Sequence, residues 1–87
     1  MPRVTMYATG TCPYCIRAEA LLRAKGITDN ELEIIRVDRE PARRQEMTAR
    51  SGRRTVPQIW IGDAHVGGCD DLHELDESGE LDGLLAA

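Results

Sequence analysis

The chain has 87 residues, which suits a single small domain spanning residues 1–87. Hydrophobic residues make up 41% and charged residues 30%, a balance typical of a folded chain and not of a disordered one. No apolar run approaches the roughly 18 residues of a transmembrane helix, and no signal peptide begins the chain, so we expect a cytoplasmic protein. Its three cysteines are then not expected to form a disulfide scaffold.

Charge is distributed unevenly along the chain. All eleven lysines and arginines lie in residues 1–54 beside seven acidic residues, whereas residues 55–87 carry eight acidic residues and no lysine or arginine. The ordinary interpretation is a set of solvated helix faces, and the alternative is a field that steers an anionic substrate or partner. Only three aromatic residues are present and the arginines alternate with acids, which argues against a nucleic-acid groove.

The first half of the chain predicts a strand, a helix and a second strand. Arg3–Tyr7 alternates loosely and is rich in strand-forming residues, and Glu31–Asp38 is similar. A helix is predicted over Pro13–Lys25, capped by Thr11 or Cys12 and followed by Gly26. Its expected apolar stripe and the leucines beside it are Ile16, Ala20, Ala24, Leu21 and Leu22.

The second half predicts a helix, a hairpin and two short helices. These elements are, in order, a helix over Pro41–Arg50, strands over Val56–Ile61 and Ala64–Gly67, and helices over Cys69–Asp76 and Glu80–Leu85. Two strands joined by a helix should be parallel, and two joined by a tight turn antiparallel. The order β-α-β-α-β-β-α therefore predicts an α/β fold with a four-stranded mixed sheet and helices on both faces.

Cys12-Pro13-Tyr14-Cys15 stands where a loop gives way to a helix. Unpaired N–H groups and the positive end of the helix dipole stabilise a thiolate on Cys12, and the thiolate is the form that attacks disulfides. Two cysteines three residues apart at a helix start also lie close enough to form a disulfide. The motif therefore suits cycling between dithiol and disulfide.

Three other interpretations of the two cysteines stay open. They are a pair of buried structural cysteines, a zinc site, and an iron–sulfur cluster bridged between two chains. Zinc needs four ligands, and the chain adds only Cys69, His65 and His73, in no finger-like spacing. We therefore expect no bound metal.

Three motifs together resemble the glutaredoxin family: Thr11–Cys15, Thr55–Gln58 and Gly67–Leu72. The likeness covers Val4 to Leu85. It implies a thioredoxin-like fold and an enzyme that reduces protein disulfides and glutathione mixed disulfides, with glutathione as the reducing co-substrate. Cys12 and Cys15 are then the catalytic pair.

The resemblance also implies where glutathione binds. A cis peptide bond before Pro57 would turn the Val56 backbone toward Cys12, so that it pairs with glutathione like an added strand. The helix start at Cys69, approached past Gly68, would hold the γ-glutamyl carboxylate, with Asp70 or Asp71 on the ammonium group. The implied glutathione-binding residues are Thr11, Tyr14, Arg53, Arg54, Thr55, Val56, Pro57, Gly68, Cys69, Asp70 and Asp71. The Cys69 thiol itself is expected to be a packing or regulatory group, and Trp60 a core residue.

One position departs from the family pattern. Many glutaredoxins carry a lysine or arginine two or three residues before the first active cysteine, where this chain has Thr9 and Gly10. Either glutathione binds more weakly, or Arg53 or Arg54 meets the glycyl carboxylate, which an arginine grips through two parallel hydrogen bonds.

The sequence therefore predicts a dithiol glutaredoxin. Its expected partners are glutathione, glutathionylated or disulfide-containing proteins such as ribonucleotide reductase, and, indirectly, glutathione reductase. We expect a monomer that binds neither nucleic acid nor membrane. The alternatives are a redoxin reduced by thioredoxin reductase and an iron–sulfur carrier that uses Cys12 and glutathione as ligands.

Overall fold

The computed structural model describes residues 3–86, which form the predicted four-stranded mixed sheet. Its strands are β1 (Val4–Ala8), β2 (Leu32–Arg36), β3 (Gln58–Ile61) and β4 (Ala64–Gly67). They lie in the order β2-β1-β3-β4. β1 is parallel to β2 and antiparallel to β3, and β3 is antiparallel to β4, as predicted. β3 begins later than predicted, because Pro57 has no N–H to donate to a neighbouring strand.

Four helices cover the sheet: α1 (Pro13–Ala24), α2 (Pro41–Ser51), α3 (Cys69–Glu77) and α4 (Glu80–Ala86). Each predicted helix is present, beginning at the predicted residue and ending one residue from the predicted end. Gly52, with φ of 73°, ends α2 in the left-handed conformation. Within residues 3–86, no helix combines the length and apolar character needed to cross a membrane.

The alternation of side chains along the strands creates two cores. Val4 and Met6 of β1 face α1, α3 and α4, together with Ile59 of β3. The opposite face is covered by α2 and contains Tyr7, Ile35, Val37, Met47 and Trp60. Trp60 is 4% exposed, which confirms its predicted place in the core. The predicted helices on both faces are therefore confirmed.

The predicted buried stripe of α1 is wrong. Ile16 is 64% exposed, and Ala20 and Ala24 are also on the surface. The helix instead buries Cys15, Ala18 and Leu22. Because alanine is compatible with both a buried and an exposed position, the sequence pattern did not determine which face of α1 packs on the sheet. The observed face places the second cysteine beneath the helix and leaves an isoleucine exposed beside the motif.

Candidate active site

Cys12 is the N-cap residue of α1, and Pro13 occupies the first helical position. The Cys15 N–H donates to the Cys12 sulfur, with the nitrogen 3.1 Å from Sγ. Cys12 is half-buried and Cys15 only 4% exposed, and both are free thiols. A disulfide from outside can therefore reach the Cys12 sulfur, whereas Cys15 lies beneath it.

The buried position of Cys15 also affects how readily its thiol ionises. Burial, together with the hydrogen bond that the Cys15 S–H donates to Cys12, raises the pKa of the Cys15 thiol to about 12. Burial also raises the pKa of Cys69. Both thiols stay protonated at neutral pH, which makes them poor nucleophiles in the reduced protein.

Alkylation at neutral pH should therefore select Cys12. Brief treatment of the reduced protein with iodoacetamide is expected to label Cys12 and leave Cys15 and Cys69 unlabelled, because burial shields the latter two thiols and keeps them protonated. Peptide mass spectrometry gives the distribution of label. The same treatment in denaturant should label all three cysteines, and equal labelling of Cys12 and Cys15 in the folded protein would contradict this assignment.

A turn before β3 forms the wall opposite the cysteines. The Val56–Pro57 peptide bond is cis, as the family resemblance implied. The Val56 carbonyl oxygen lies 3.8 Å from the Cys12 sulfur. Gln58 is fully buried, and its side chain donates to the Thr55 carbonyl at 3.1 Å. The Gln58 side chain thus holds the turn in place, and the backbone of the turn borders the Cys12 sulfur.

The start of α3 forms a third side of the site. Its N-cap, Gly68, has no side chain, and the first N–H groups of a helix have no partner within the helix. Asp71 accepts hydrogen bonds from the Gly68 N–H at 2.8 Å and from Arg53 at 2.9 Å. These bonds hold the pKa of the Asp71 carboxyl below its ordinary value. Asp71 is therefore already engaged, whereas Asp70 is exposed.

These three sides enclose a cleft of about 220 Å³. Nine of the eleven predicted glutathione-binding residues line it: Tyr14, Arg53, Thr55, Val56, Pro57, Gly68, Cys69, Asp70 and Asp71. Thr11 and Arg54 are not among the lining residues. Tyr14 is 54% exposed at the rim, with the Arg17 guanidinium 6.0 Å from its ring centroid. The structure thus brings most of the predicted set to one place.

The two candidate arginines have different surroundings. Arg53 forms an ion pair with Asp71 at 2.9 Å, whereas no ion pair within residues 3–86 involves Arg54. Arg44, which the sequence did not single out, donates to the Arg54 carbonyl at 3.2 Å. Arg44 and Arg54 line a groove together with Thr48 and Ala49. Arg54 directly precedes Thr55 of the cleft in sequence, and the groove that it shares with Arg44 is lined by two arginines.

Another cation occupies the space beside Gly10, one of the two positions at which many glutaredoxins carry a lysine or arginine. The Arg36 guanidinium lies where a side chain at Gly10 would stand. Asp38 accepts from two nitrogens of Arg36, at 2.9 and 2.7 Å, and from the Gly10 N–H at 3.3 Å. The bond to Arg36 holds the pKa of the Asp38 carboxyl well below its usual range. A larger residue at position 10 would displace Arg36, so the cation beside this loop comes from β2.

The other residues that the sequence singled out, Cys69 and the histidines, pack against or hydrogen-bond to neighbouring residues of the fold. Cys69 packs in the core with its sulfur 3.5 Å from His73 Nδ1, in keeping with the predicted packing role. His65 stacks on Trp60 and contacts the Gln58 side chain at 2.9 Å. In the part of the chain that the structure describes, no three His, Cys, Asp or Glu side chains are grouped to hold a metal ion.

A reachable thiol above a buried one, on a thioredoxin-like fold, defines the class of a thiol oxidoreductase. Comparison with known families narrows this class. The glutaredoxin family model matches residues 4–66, which is most of the chain. The chain belongs to the glutaredoxin family, and it is therefore a glutathione-dependent thiol oxidoreductase, as its sequence predicted.

Individual relatives agree with this assignment. A glutaredoxin of Pseudomonas aeruginosa is 54% identical over 87 residues and covers all of both chains. Glutaredoxin 3 of Escherichia coli K12 is 55% identical over 85 residues, which is 98% of this chain and 99% of that one. Among solved structures, the buckwheat glutaredoxin–glutathione complex superposes with a TM-score of 0.88 at 30% identity, covering 98% of this chain and 77% of that chain.

Proposed function

We propose that the protein reduces protein disulfides and glutathione mixed disulfides through Cys12 and Cys15, with glutathione as electron donor. The observation that carries the proposal is the asymmetry of the two thiols. Cys12 caps a helix and borders the Val56 backbone at 3.8 Å, whereas Cys15 is buried and its pKa is raised to about 12. An accessible Cys12 thiol above a buried, protonated Cys15 thiol is suited to two successive thiol–disulfide exchange steps, the first at Cys12 and the second at Cys15.

A glutathione mixed disulfide requires only the first thiol. The Cys12 thiolate attacks the glutathione sulfur, a bond forms between these two sulfurs, and the substrate thiolate leaves and takes up a proton. A second glutathione thiolate then attacks the glutathione sulfur bound to Cys12. This step yields glutathione disulfide and restores the Cys12 thiolate, so each turnover consumes one free glutathione, and the other half of the glutathione disulfide comes from the substrate.

A protein disulfide requires both thiols. Cys12 attacks one sulfur of the substrate and forms a mixed disulfide, while the other substrate sulfur leaves as a thiolate that is protonated. Cys15 then loses its proton and attacks the Cys12 sulfur, which releases the second substrate thiol and leaves a Cys12–Cys15 disulfide. Two glutathione molecules reduce this disulfide and become glutathione disulfide.

In this proposal, residues of the cleft bind each part of glutathione except its glycyl end. The Val56 backbone pairs with the cysteinyl residue, which brings the glutathione sulfur to Cys12. The first-turn amides of α3 bind the γ-glutamyl carboxylate. Asp70 binds the ammonium group, because Asp71 is occupied by Arg53 and the Gly68 N–H. Tyr14, Thr55 and Pro57 line the space between, and Thr11 lies just before the reactive sulfur.

The glycyl carboxylate then lies at Arg54, with Arg44 beside it. Of the two arginines that the sequence suggested, Arg53 is held in its ion pair with Asp71 and keeps the start of α3 in place. Arg54 and Arg44 share a groove, and Arg54 directly precedes Thr55 in the chain. A carboxylate there gains charge-assisted hydrogen bonds without breaking an existing ion pair.

Arg54→Gln should raise the KM for glutathione by about tenfold, the effect of losing one hydrogen bond to a charged group. The rate at which iodoacetamide labels Cys12 should stay unchanged, because Arg54 does not contact the thiol. Arg3→Gln, which removes the same charge at the far end of β1, serves as the control. An unchanged KM in Arg54→Gln would refute this placement of the carboxylate.

A coupled assay tests the function as a whole. Reduction of a glutathione mixed disulfide should proceed with glutathione, glutathione reductase and NADPH, and should not proceed with thioredoxin reductase and NADPH alone. Activity with thioredoxin reductase only would overturn the proposal in favour of the rival redoxin. Protein substrates such as ribonucleotide reductase, the cytoplasmic location and the monomeric state stay predictions.

A further inference from the structure

We infer that a groove behind Cys15 binds an apolar side chain of a protein substrate, close in sequence to the substrate's disulfide. The inference rests on the proposed function and names the class of protein that this site prefers. The groove encloses about 330 Å³, and none of its lining residues lines the glutathione cleft. Its wall and rim include Gly10, Cys15, Ile16, Glu19, Ile34 and Arg36.

The exposed apolar side chains point to this groove. Among residues 3–86, the large hydrophobic residues that are exposed are Tyr14, Ile16 and Ile34, at 54%, 64% and 37%. Single exposed apolar residues are ordinary on protein surfaces, but a group at one place marks a contact surface. Tyr14 borders the glutathione cleft, whereas Ile16 and Ile34 border the groove. Apolar contacts therefore flank the reactive motif on both sides.

The fold brings these two isoleucines together. Ile34 pairs with Met6 in the parallel register of β1 and β2, so its side chain lies on the face of the sheet that α1 covers. β2 is one of the two edge strands, and Ile16 lies in the first turn of α1, just after the motif. The gap between the edge of the sheet and the start of the helix is the groove.

The charges on the groove favour a neutral occupant. Glu19 is already paired with Arg23 at 3.2 Å, and Arg36 with Asp38 at 2.7 Å. Met6 and Ala8 complete an apolar interior. A charged side chain would find no free partner there and would lose its hydration, whereas an aliphatic or aromatic one would be removed from water.

Continuity with the reactive motif favours a protein substrate as the occupant. Gly10 belongs to the loop that precedes Cys12, and Cys15 is the second thiol of the pair. A polypeptide joined to Cys12 extends in both directions from its cysteine, so one arm follows the glutathione cleft and the other crosses the groove. Glutathione is a tripeptide and lies within its own cleft, so the groove distinguishes protein disulfides from glutathione mixed disulfides.

Three substrates test the inference. The first is the mixed disulfide of glutathione and 2-mercaptoethanol, the second a peptide with an internal disulfide flanked by leucines, and the third the same peptide with serines in place of the leucines. The protein should reduce the leucine peptide with a kcat/KM about tenfold above that of the serine peptide. Ile16→Ser combined with Ile34→Ser should abolish this preference and leave turnover of the small mixed disulfide unchanged. Ala20→Ser combined with Ala24→Ser, on the exposed surface of the same helix, should change neither.

Each other outcome has a distinct meaning. Failure to reduce the small mixed disulfide would overturn the proposed function and this inference with it. Normal turnover of that substrate with equal rates for the two peptides would overturn the inference alone. A dimer in sedimentation that the isoleucine substitutions dissociate would show that the groove contacts a second copy of the chain, which would also overturn it.

Discussion

Replacing Cys12 by serine is expected to lower turnover of every disulfide substrate by about a thousandfold or more, because the hydroxyl is not ionised at neutral pH and no other thiol takes its place. Cys15 and Cys69 are each only 4% exposed, and burial raises the pKa of both thiols. The coupled assay with glutathione and glutathione reductase measures the loss. Substantial activity in Cys12→Ser would show that a different nucleophile starts the reaction.

Cys15→Ser is the matched variant for this experiment. It should keep reduction of glutathione mixed disulfides, which uses Cys12 alone, and lose most reduction of protein disulfides, which needs the second thiol to release the substrate. Cys15→Ser should therefore slow only the reduction of protein disulfides, whereas Cys12→Ser should slow the reduction of both substrates. Full protein disulfide reduction by Cys15→Ser would contradict the division of labour between the cysteines.

Gly67→Ala is expected to damage both stability and glutathione binding. Gly67 has φ of 112°, and an added Cβ would lie 2.9 Å from Asp71 Cγ and 3.0 Å from an Arg53 side-chain nitrogen. The strained backbone and the displaced ion pair should lower the free energy of unfolding by about 2–3 kcal/mol. Because Asp71 fastens the start of α3, the KM for glutathione should rise as well. Urea unfolding and the coupled assay measure the two effects.

Gly52→Ala is the control that shows the effect of backbone strain without steric crowding of the added Cβ. Gly52 also has a positive φ, of 73°, but nothing lies within 4 Å of an added Cβ. This variant should lose only about 1 kcal/mol, the cost of a left-handed conformation, and should keep the KM for glutathione unchanged. Equal effects in the two variants would show that the contacts with Asp71 and Arg53 do not matter.

Features encoded by neighbouring residues were predictable from the sequence. Pro13 marked the start of α1, Gly26 marked its end, and the tight turn expected between the last two strands separated β3 from β4. Each depends on backbone chemistry within a few residues. The element order followed from these signals, and the parallel pairing of β1 and β2 followed from the element order.

Features that depend on distant residues were not predictable. Which of two adjacent arginines is free depends on Asp71, which lies 18 residues from Arg53 in sequence. The face of α1 that is buried depends on the sheet beneath it, since its alanines suit either face. The cation beside Gly10 comes from Arg36, which only the pairing of β1 with β2 brings to the loop.

The most direct test of the central claim is the site at which glutathione becomes attached. Reduced Cys15→Ser protein is incubated with glutathione disulfide at neutral pH, and its peptides are mapped by mass spectrometry. The account predicts one glutathione per chain, on Cys12, which is released again by added glutathione. Attachment to Cys69 in place of Cys12, or no attachment while the protein stays folded, would contradict it.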